Sequence, residues 1–240
     1  MTSEESDPLE SPRKLIGVVR FVLFDFDGPI CGLFAGHSAK RVAREQISWL
    51  RGQGLGALVP ARGAAEGDPH AVLRELDLRH RGSDLVTVLE EQLTQAEVRA
   101  ASSARPTPYA DVLIRTWSAV GAGLAVATNN SPQAVTRYLE GRGLLSCFAP
   151  HIYGRTRNLH LLKPDPHCVH RALAALGADP AESLMIGDSP ADYLAARAAG
   201  THFLGYARDA RKELLLREAG AQHVVTSLLP VLDLLRSERR

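Results

Sequence analysis

Asp25 and Asp27 stand one residue apart at the end of the apolar run Val22-Leu23-Phe24, inside the stretch RFVLFDFDGPICG (residues 20–32), and Gly28-Pro29 follows at once. Side chains alternate faces along a strand, so both carboxylates start on one side if the extended geometry persists. Like charges that close repel, and a cation, a shared proton or full solvation has to relieve them. Two readings are open from this segment: a polar strand end running into a Gly-Pro turn, or a metal-assisted site.

Other reactive groups recur at equivalent points. The run GLAVAT (123–128) ends in Thr128-Asn129-Asn130, just before a helix that opens near Ser131-Pro132. Hydroxyl and amide groups there sit beside a helix N-terminus, which favours an anion. The run SLMIGD (183–188) leads into GDSPAD, with Asp188 and Asp192 four apart, and between the two lies LLKPDP with Lys163, one of only four lysines against 24 arginines.

Several acids around an anion-favouring terminus require a divalent cation, because free carboxylates repel a phosphate; all-oxygen ligands point to Mg2+. One Asp then serves as nucleophile through an acyl-phosphate, and a second as general acid and base. Lys163 would neutralise the nucleophile and the phosphate, and Thr128 would hydrogen-bond phosphate oxygens. Each residue also has a plainer role: Asn129 or Asn130 a cap, Lys163 a solvated lysine, Asp188 an N-cap, Asp192 a first-turn acid. Their occurrence together, in order and at successive strand ends, favours the site.

The elements that would position them are short apolar runs at 18–25, 123–128, 150–154, 183–188, 202–207 and 222–227. Between most of them lie helical spacings such as PQAVTRYLEGRG, DPHCVHRALAALG and PADYLAARAAG, several closing on Gly. Strand and helix taking turns predicts an α/β fold, a Rossmann-like doubly wound parallel sheet with helices on both faces. In such a sheet ligands bind at the carboxyl ends of the strands. The region 33–105 breaks the rhythm with helical candidates only, HSAKRVAREQISWLRGQ, PHAVLRELDLRH and SDLVTVLEEQLTQAEVRAASSA, around a Gly-rich loop at 52–67. The expected organisation is a disordered tail at 1–16, a core made of 17–32 and 106–240, and an inserted helical unit at 33–105.

A formal net charge of +1 over 240 residues argues against nucleic-acid binding through a basic surface. Three cysteines without paired spacing suggest neither a disulfide framework nor a zinc site and fit a reducing, cytoplasmic setting. The acidic, polar start lacks the pattern of a signal peptide, and no apolar run reaches the roughly 18 residues that span a bilayer.

The segments DFDGPI, ATNN, KPDP and GDSPADYLAARAAG resemble, in order, the four motifs of the haloacid dehalogenase-like (HAD) hydrolase superfamily, and the resemblance to its phosphoglycolate-phosphatase and beta-phosphoglucomutase branch extends to ELLLREAGAQHVVTSL near the C-terminus. It implies Asp25 as nucleophile and Asp27 as acid/base. It further implies Mg2+ held by Asp25, Asp188 and the backbone carbonyl of Asp27, with Asp192 as supporting acid. By the same resemblance Thr128, Asn129, Lys163 and Gly28 would make up the phosphate-binding set, and the insertion resembles a C1 helical cap. The expected activity is a magnesium-dependent phosphatase acting on a small phosphorylated metabolite, without nucleic-acid or membrane partners. Alternatives are a phosphoglucomutase-like phosphotransferase or a non-catalytic phospho-receiver or binding protein on a similar fold.

Overall fold

Val22, Leu23 and Phe24 are all wholly buried, as a continuous apolar run demands of a strand covered on both faces. The computed structural model describes residues 10–36, 38–61 and 67–237. In chain order the elements are α1 (Glu10–Val18), β1 (Phe21–Phe24), β2 (Cys31–Gly32), α2 (Ala39–Gly52), α3 (Pro69–His80), α4 (Asp84–Ala101) and β3 (Arg105–Pro106). There follow α5 (Ala110–Ala119), β4 (Gly123–Ala127), α6 (Pro132–Arg142), the single turn α7 (Leu145–Phe148), β5 (Ile152–Tyr153) and α8 (His167–Leu176). The chain finishes with β6 (Ser183–Gly187), α9 (Pro190–Ala198), β7 (His202–Tyr206), α10 (Ala210–Glu218), β8 (Val224–Val225) and α11 (Leu229–Ser237).

Six strands form one parallel sheet in the order β5-β4-β1-β6-β7-β8. The fold is the expected α/β doubly wound sheet. Val22 and Phe24 point into a core shared with α5, α6 and α11, while Leu23 points to the opposite core against α8 and α9. β1 is central, and the chain winds outward from it in both directions, which opens a crevice beyond its carboxyl end. The register carries this through to chemistry: Phe24 pairs with Val126 of β4 and Ile186 of β6. Asp25, Thr128 and Asp188 therefore leave neighbouring strands at nearly one level.

The tail expected over 1–16 is helical where α1 begins at Glu10; Leu15, Ile16 and Val19 are buried in the core shared with α11, and that apolar burial is what orders the segment. Its remainder, residues 1–9, lies outside the described residues. A feature the sequence did not suggest is the antiparallel pair β2 and β3, joining Cys31 to Pro106 and Gly32 to Arg105 at the two ends of the insertion.

Between that pair the described residues hold α2, α3 and α4 around their own core of Val42, Leu50, Val72, Leu73, Leu76, Leu89 and Leu93, which also takes in Leu159 and Leu162 from the sheet-bearing part. The helix starts follow local chemistry. Asp68 accepts from the His70 amide with Pro69 at the first turn of α3, and Ser83 caps α4. Part of the Gly-rich loop at 52–67, residues 62–66, lies outside the described residues.

The insertion is tied to the sheet by a buried ion network. Arg155, just past β5, has a fully buried side chain and meets Glu97 of α4 two-pronged, Nη1 to Oε1 and Nη2 to Oε2, each at 3.0 Å. The same guanidinium donates to Glu90, Thr94 and the Asn129 carbonyl. His70 Nε2 lies 3.1 Å from Glu97 Oε1, and Asp68 flanks the other ring nitrogen. Burial alone would push Glu97 up; Arg155 and His70 outweigh it and hold the carboxyl down at about 2. Burial likewise opposes the His70 charge, but Asp68 and Glu97 lift the imidazole to about 9.

The signs set a pH window. Glu97, depressed from 4.5, contributes stability above pH 4.5 that is lost as pH falls through about 2; His70, raised from 6.5, contributes below pH 6.5 and loses it as pH rises through about 9. The groups facing His70 are Asp68 on its own helix, Glu97 on α4 and Arg155 from the sheet side. The His70→Gln variant should flatten the alkaline limb: its thermal midpoint should fall less than the parent's between pH 6.5 and 9. Equal falls in the two proteins would show that the imidazolium does not help to hold this junction.

Candidate active site

Asp25 follows β1 directly and is buried. Its Oδ1 accepts a hydrogen bond from Lys163 Nζ at 2.7 Å. The same ammonium donates to the Ala127 carbonyl at the end of β4 (2.9 Å) and meets Asp192 Oδ1 on α9 (2.5 Å). An ammonium has three protons, and here each has an acceptor. This lets a lysine that is 2% exposed stay charged, and its pKa is driven up: burial opposes the charge, but Asp192 and Asp25 outweigh it.

Asp192 owes its place to a capping box at the start of α9, in which Ser189 caps the helix and Asp192 returns the bond. Its Oδ2 accepts from the Asp188 and Ser189 amides and from the Ser189 hydroxyl. Asp188, at the end of β6, is paired with Lys212 on α10 at 2.7 Å. Asp25, Asp188 and Asp192 each offer one oxygen within 4.8 Å of the others, the single such group found among the described residues. All three donors are carboxylate oxygens, the ligand type that suits a hard divalent cation such as Mg2+.

The charge balance agrees with that fit. Three clustered acids face two ammonium groups, and burial raises the carboxyls whose shifts follow, with their mutual repulsion adding to it. Asp25 is raised by burial against Lys163, with Asp192 adding to the rise. Asp188 is raised to about 7, again first by burial, with Lys212 opposing. Asp27 is raised to about 6 by burial; the Leu33 amide, which donates to its Oδ1 at 2.8 Å, pulls the other way, and the charge of Asp25 adds to the rise. Leu33 lies in the first residues of the insertion, so Asp27 is oriented toward the insertion and Asp25 toward Lys163.

Gly28 packs against this cluster. A Cβ there would lie 2.4 Å from Asp188 Cγ, and the residue has φ +137°. Its carbonyl accepts from the Thr107 hydroxyl at 2.5 Å.

Thr128 is buried, and its hydroxyl donates to Asn130 Oδ1 at 3.1 Å. Asn129 Nδ2 donates to the Lys163 carbonyl and its Oδ1 accepts from the Lys163 amide, so its side chain holds the backbone of the lysine in place. Arg74 of α3 donates to the same Lys163 carbonyl.

Sequence reasoning missed Lys212, Thr107, Glu97, His70 and Arg155. Lys212 carried a usable signal, being one of the four lysines and following the strand at 202–207. The other four had none, since each gains its meaning from a contact distant in sequence.

The glycine makes a direct test of the packing. Gly28→Ala should lower the free energy of unfolding by about 1–3 kcal/mol through backbone strain alone, with the collision against Asp188 added. Gly54, at φ +74° with open space around it, is the control, and Gly54→Ala should show only the strain. Equal losses in chemical denaturation would mean that Gly28 does not lie against Asp188.

Comparisons with known proteins bear on the family and the fold. A family model described as haloacid dehalogenase-like hydrolase matches residues 19–200. A phosphoglycolate phosphatase of Rhodospirillum rubrum is 30% identical over 78% of this chain and 81% of its own length. PpaX of Clostridium perfringens, which carries a pyrophosphatase name, is 32% identical over 52% of this chain and spans only 57% of its own length. The crystal structure of a predicted phosphatase from Clostridium acetobutylicum shares the fold with a TM-score of 0.65, at 18% identity over 91% of this chain and 99% of that one. With its four motifs gathered at the carboxyl edge of one parallel sheet, the chain belongs to the haloacid dehalogenase-like hydrolases.

Proposed function

We propose that this hydrolase is a magnesium-dependent phosphatase that removes the phosphoryl group of a small metabolite through an aspartyl-phosphate on Asp25. The observation that carries the reading is the buried Lys163 ammonium, which joins Asp25 to Asp192 while Asp188 lies in the same 4.8 Å cluster. Four charged groups from separate parts of the chain converge where a parallel sheet opens, and a structural role alone gives no reason to bury so many acids there.

In this reading the Asp25 oxygen that is free of Lys163 attacks phosphorus. Lys163 offsets the charge of nucleophile and phosphoryl group, and the Thr128 hydroxyl donates to a phosphoryl oxygen. Asp27 gives its proton to the leaving oxygen and later takes one from the water that hydrolyses the aspartyl-phosphate. Asp25, Asp188 and the Asp27 carbonyl would hold Mg2+, which supplies positive charge to the acids and the phosphoryl oxygens. Both oxygens of Asp192 are already engaged, which suits a supporting acid. The helices between β2 and β3 serve as a cap that excludes water. The relatives named as phosphoglycolate phosphatases make phosphoglycolate the first substrate to try.

The test is turnover of para-nitrophenyl phosphate and of phosphoglycolate. Parent protein with Mg2+ should hydrolyse at least one, and chelation should abolish the activity until Mg2+ is returned. Asp25→Asn should reduce turnover by about 10^3-fold or more, and Asp27→Asn by about 10^2 to 10^4-fold. Sustained turnover by Asp25→Asn would remove the covalent step from the reading.

A further inference from the structure

Glu97 is wholly buried, yet it belongs to the inserted helix α4 and takes no part in the acid cluster. Its two oxygens reach across to the end of β4. Oε1 accepts from Asn130 Nδ2 at 2.9 Å, and Oε2 accepts from the Ser131 amide, also at 2.9 Å. An ionised carboxylate only accepts, so it dictates which end of the Asn130 amide faces it. Nδ2 must turn to Glu97, and Oδ1 is left for Thr128, whose hydroxyl donates to it at 3.1 Å. The backbone N–H of Asn130 in turn donates to Thr128 Oγ1 at 3.2 Å.

The Thr128 oxygen is therefore held by the Asn130 backbone N–H and its hydroxyl faces Asn130 Oδ1, and it is the Asn130 side chain that Glu97 orients. The carboxylate itself is fixed by the two-pronged Arg155 contact and by His70. The chain of contacts runs from the insertion to the hydroxyl without a gap. The single Thr128 proton keeps its freedom to swing, since a hydroxyl rotates to suit the acceptor offered.

We propose that Glu97 is a positioning residue through which the inserted helices set the Thr128 hydroxyl, so that the strand end after β4 is ordered for a phosphoryl oxygen only while α4 is seated on the sheet-bearing part. The proposal rests on the phosphatase reading of the site. It assigns the insertion a second role besides covering the substrate: a side chain of the insertion completes the phosphate cradle from behind, without touching the phosphate.

The experiment uses the Mg2+-loaded full chain and reads the inhibition constant of inorganic phosphate against para-nitrophenyl phosphate. Glu97→Gln replaces one of the two acceptor oxygens by an NH2 group in a site where every neighbour donates, so the contact that fixes the strand end after β4 is broken at Asn130 or at Ser131. It should raise the inhibition constant by about tenfold or more, the worth of one hydrogen bond to a charged oxygen. In a Thr128→Ala background the same change should add less than about twofold, because two residues acting through one contact are not additive. A merely structural Glu97 would lower the melting temperature and leave the phosphate constant of the folded enzyme unchanged. That result, or a full effect of Glu97→Gln persisting in Thr128→Ala, overturns the proposal.

If Glu97→Gln does not fold, Asn130→Ala severs the same link while leaving the Glu97–Arg155 pair in place, and it is held to the same two outcomes. A parent protein without turnover sinks the phosphatase reading and this proposal with it. An active parent whose phosphate constant ignores both variants sinks this proposal alone.

Discussion

A lysine ammonium with no access to water must find an acceptor for every proton or give up its charge. Lys163 meets that condition with Asp25, Asp192 and the Ala127 carbonyl, and much of the surrounding structure is what bringing those three acceptors together requires. β1 and β4 must pair in the register that sets Asp25 near Ala127. The capping box of α9 must turn Asp192 back toward the sheet. The segment carrying the lysine must be held from outside, and Asn129 and Arg74 do so through its backbone. The ammonium thus ties the ends of β1 and β4 to the start of α9, the helix that follows β6, in one site.

The parts of this arrangement legible in the sequence are those fixed by short-range rules. Continuous apolar runs predict strands buried on both faces, and Val22-Leu23-Phe24 forms one. Polar residues that end such runs fall at the carboxyl edge by geometry alone, which is why Asp25, Thr128 and Asp188 could be grouped before any coordinates. Lys163 follows no strand of its own, and its rarity drew notice to it.

The illegible parts were set by tertiary contacts. Within EEQLTQAEVRA, Glu97 reads as one more acid on a solvated helix face. Its burial depends on Arg155, 58 residues further on, in a segment whose own sequence shows only a basic, polar loop. Asn129 and Asn130 are adjacent and of one type, yet one steadies the lysine and the other answers to Glu97; their different partners decide, and no local pattern distinguishes them. α1 was unreadable for the opposite reason. Its polar surroundings resemble a tail, and only the packing of Leu15 and Ile16 makes the helix worth forming.

Two buried ionic clusters are therefore present, and their acids shift in opposite directions. In one, Glu97 is depressed to about 2 because Arg155 and His70 outweigh its loss of water. In the other, Asp27 and Asp188 are raised to about 6 and about 7, because burial there is not offset by the positive charge at hand. Desolvation acts on both alike; the counter-charge differs. The Glu97 cluster is complete within the protein, and a complete network holds parts together. The Asp25 cluster is short of positive charge at the crevice of the sheet, and a divalent cation held there, as proposed, would supply it. The completed network comes nearest the deficient one at Thr128, whose oxygen is held by the Asn130 backbone and whose hydroxyl faces Asn130 Oδ1, so under the proposed role of Glu97 the order of the structural cluster would pass to the chemical one through a single side chain.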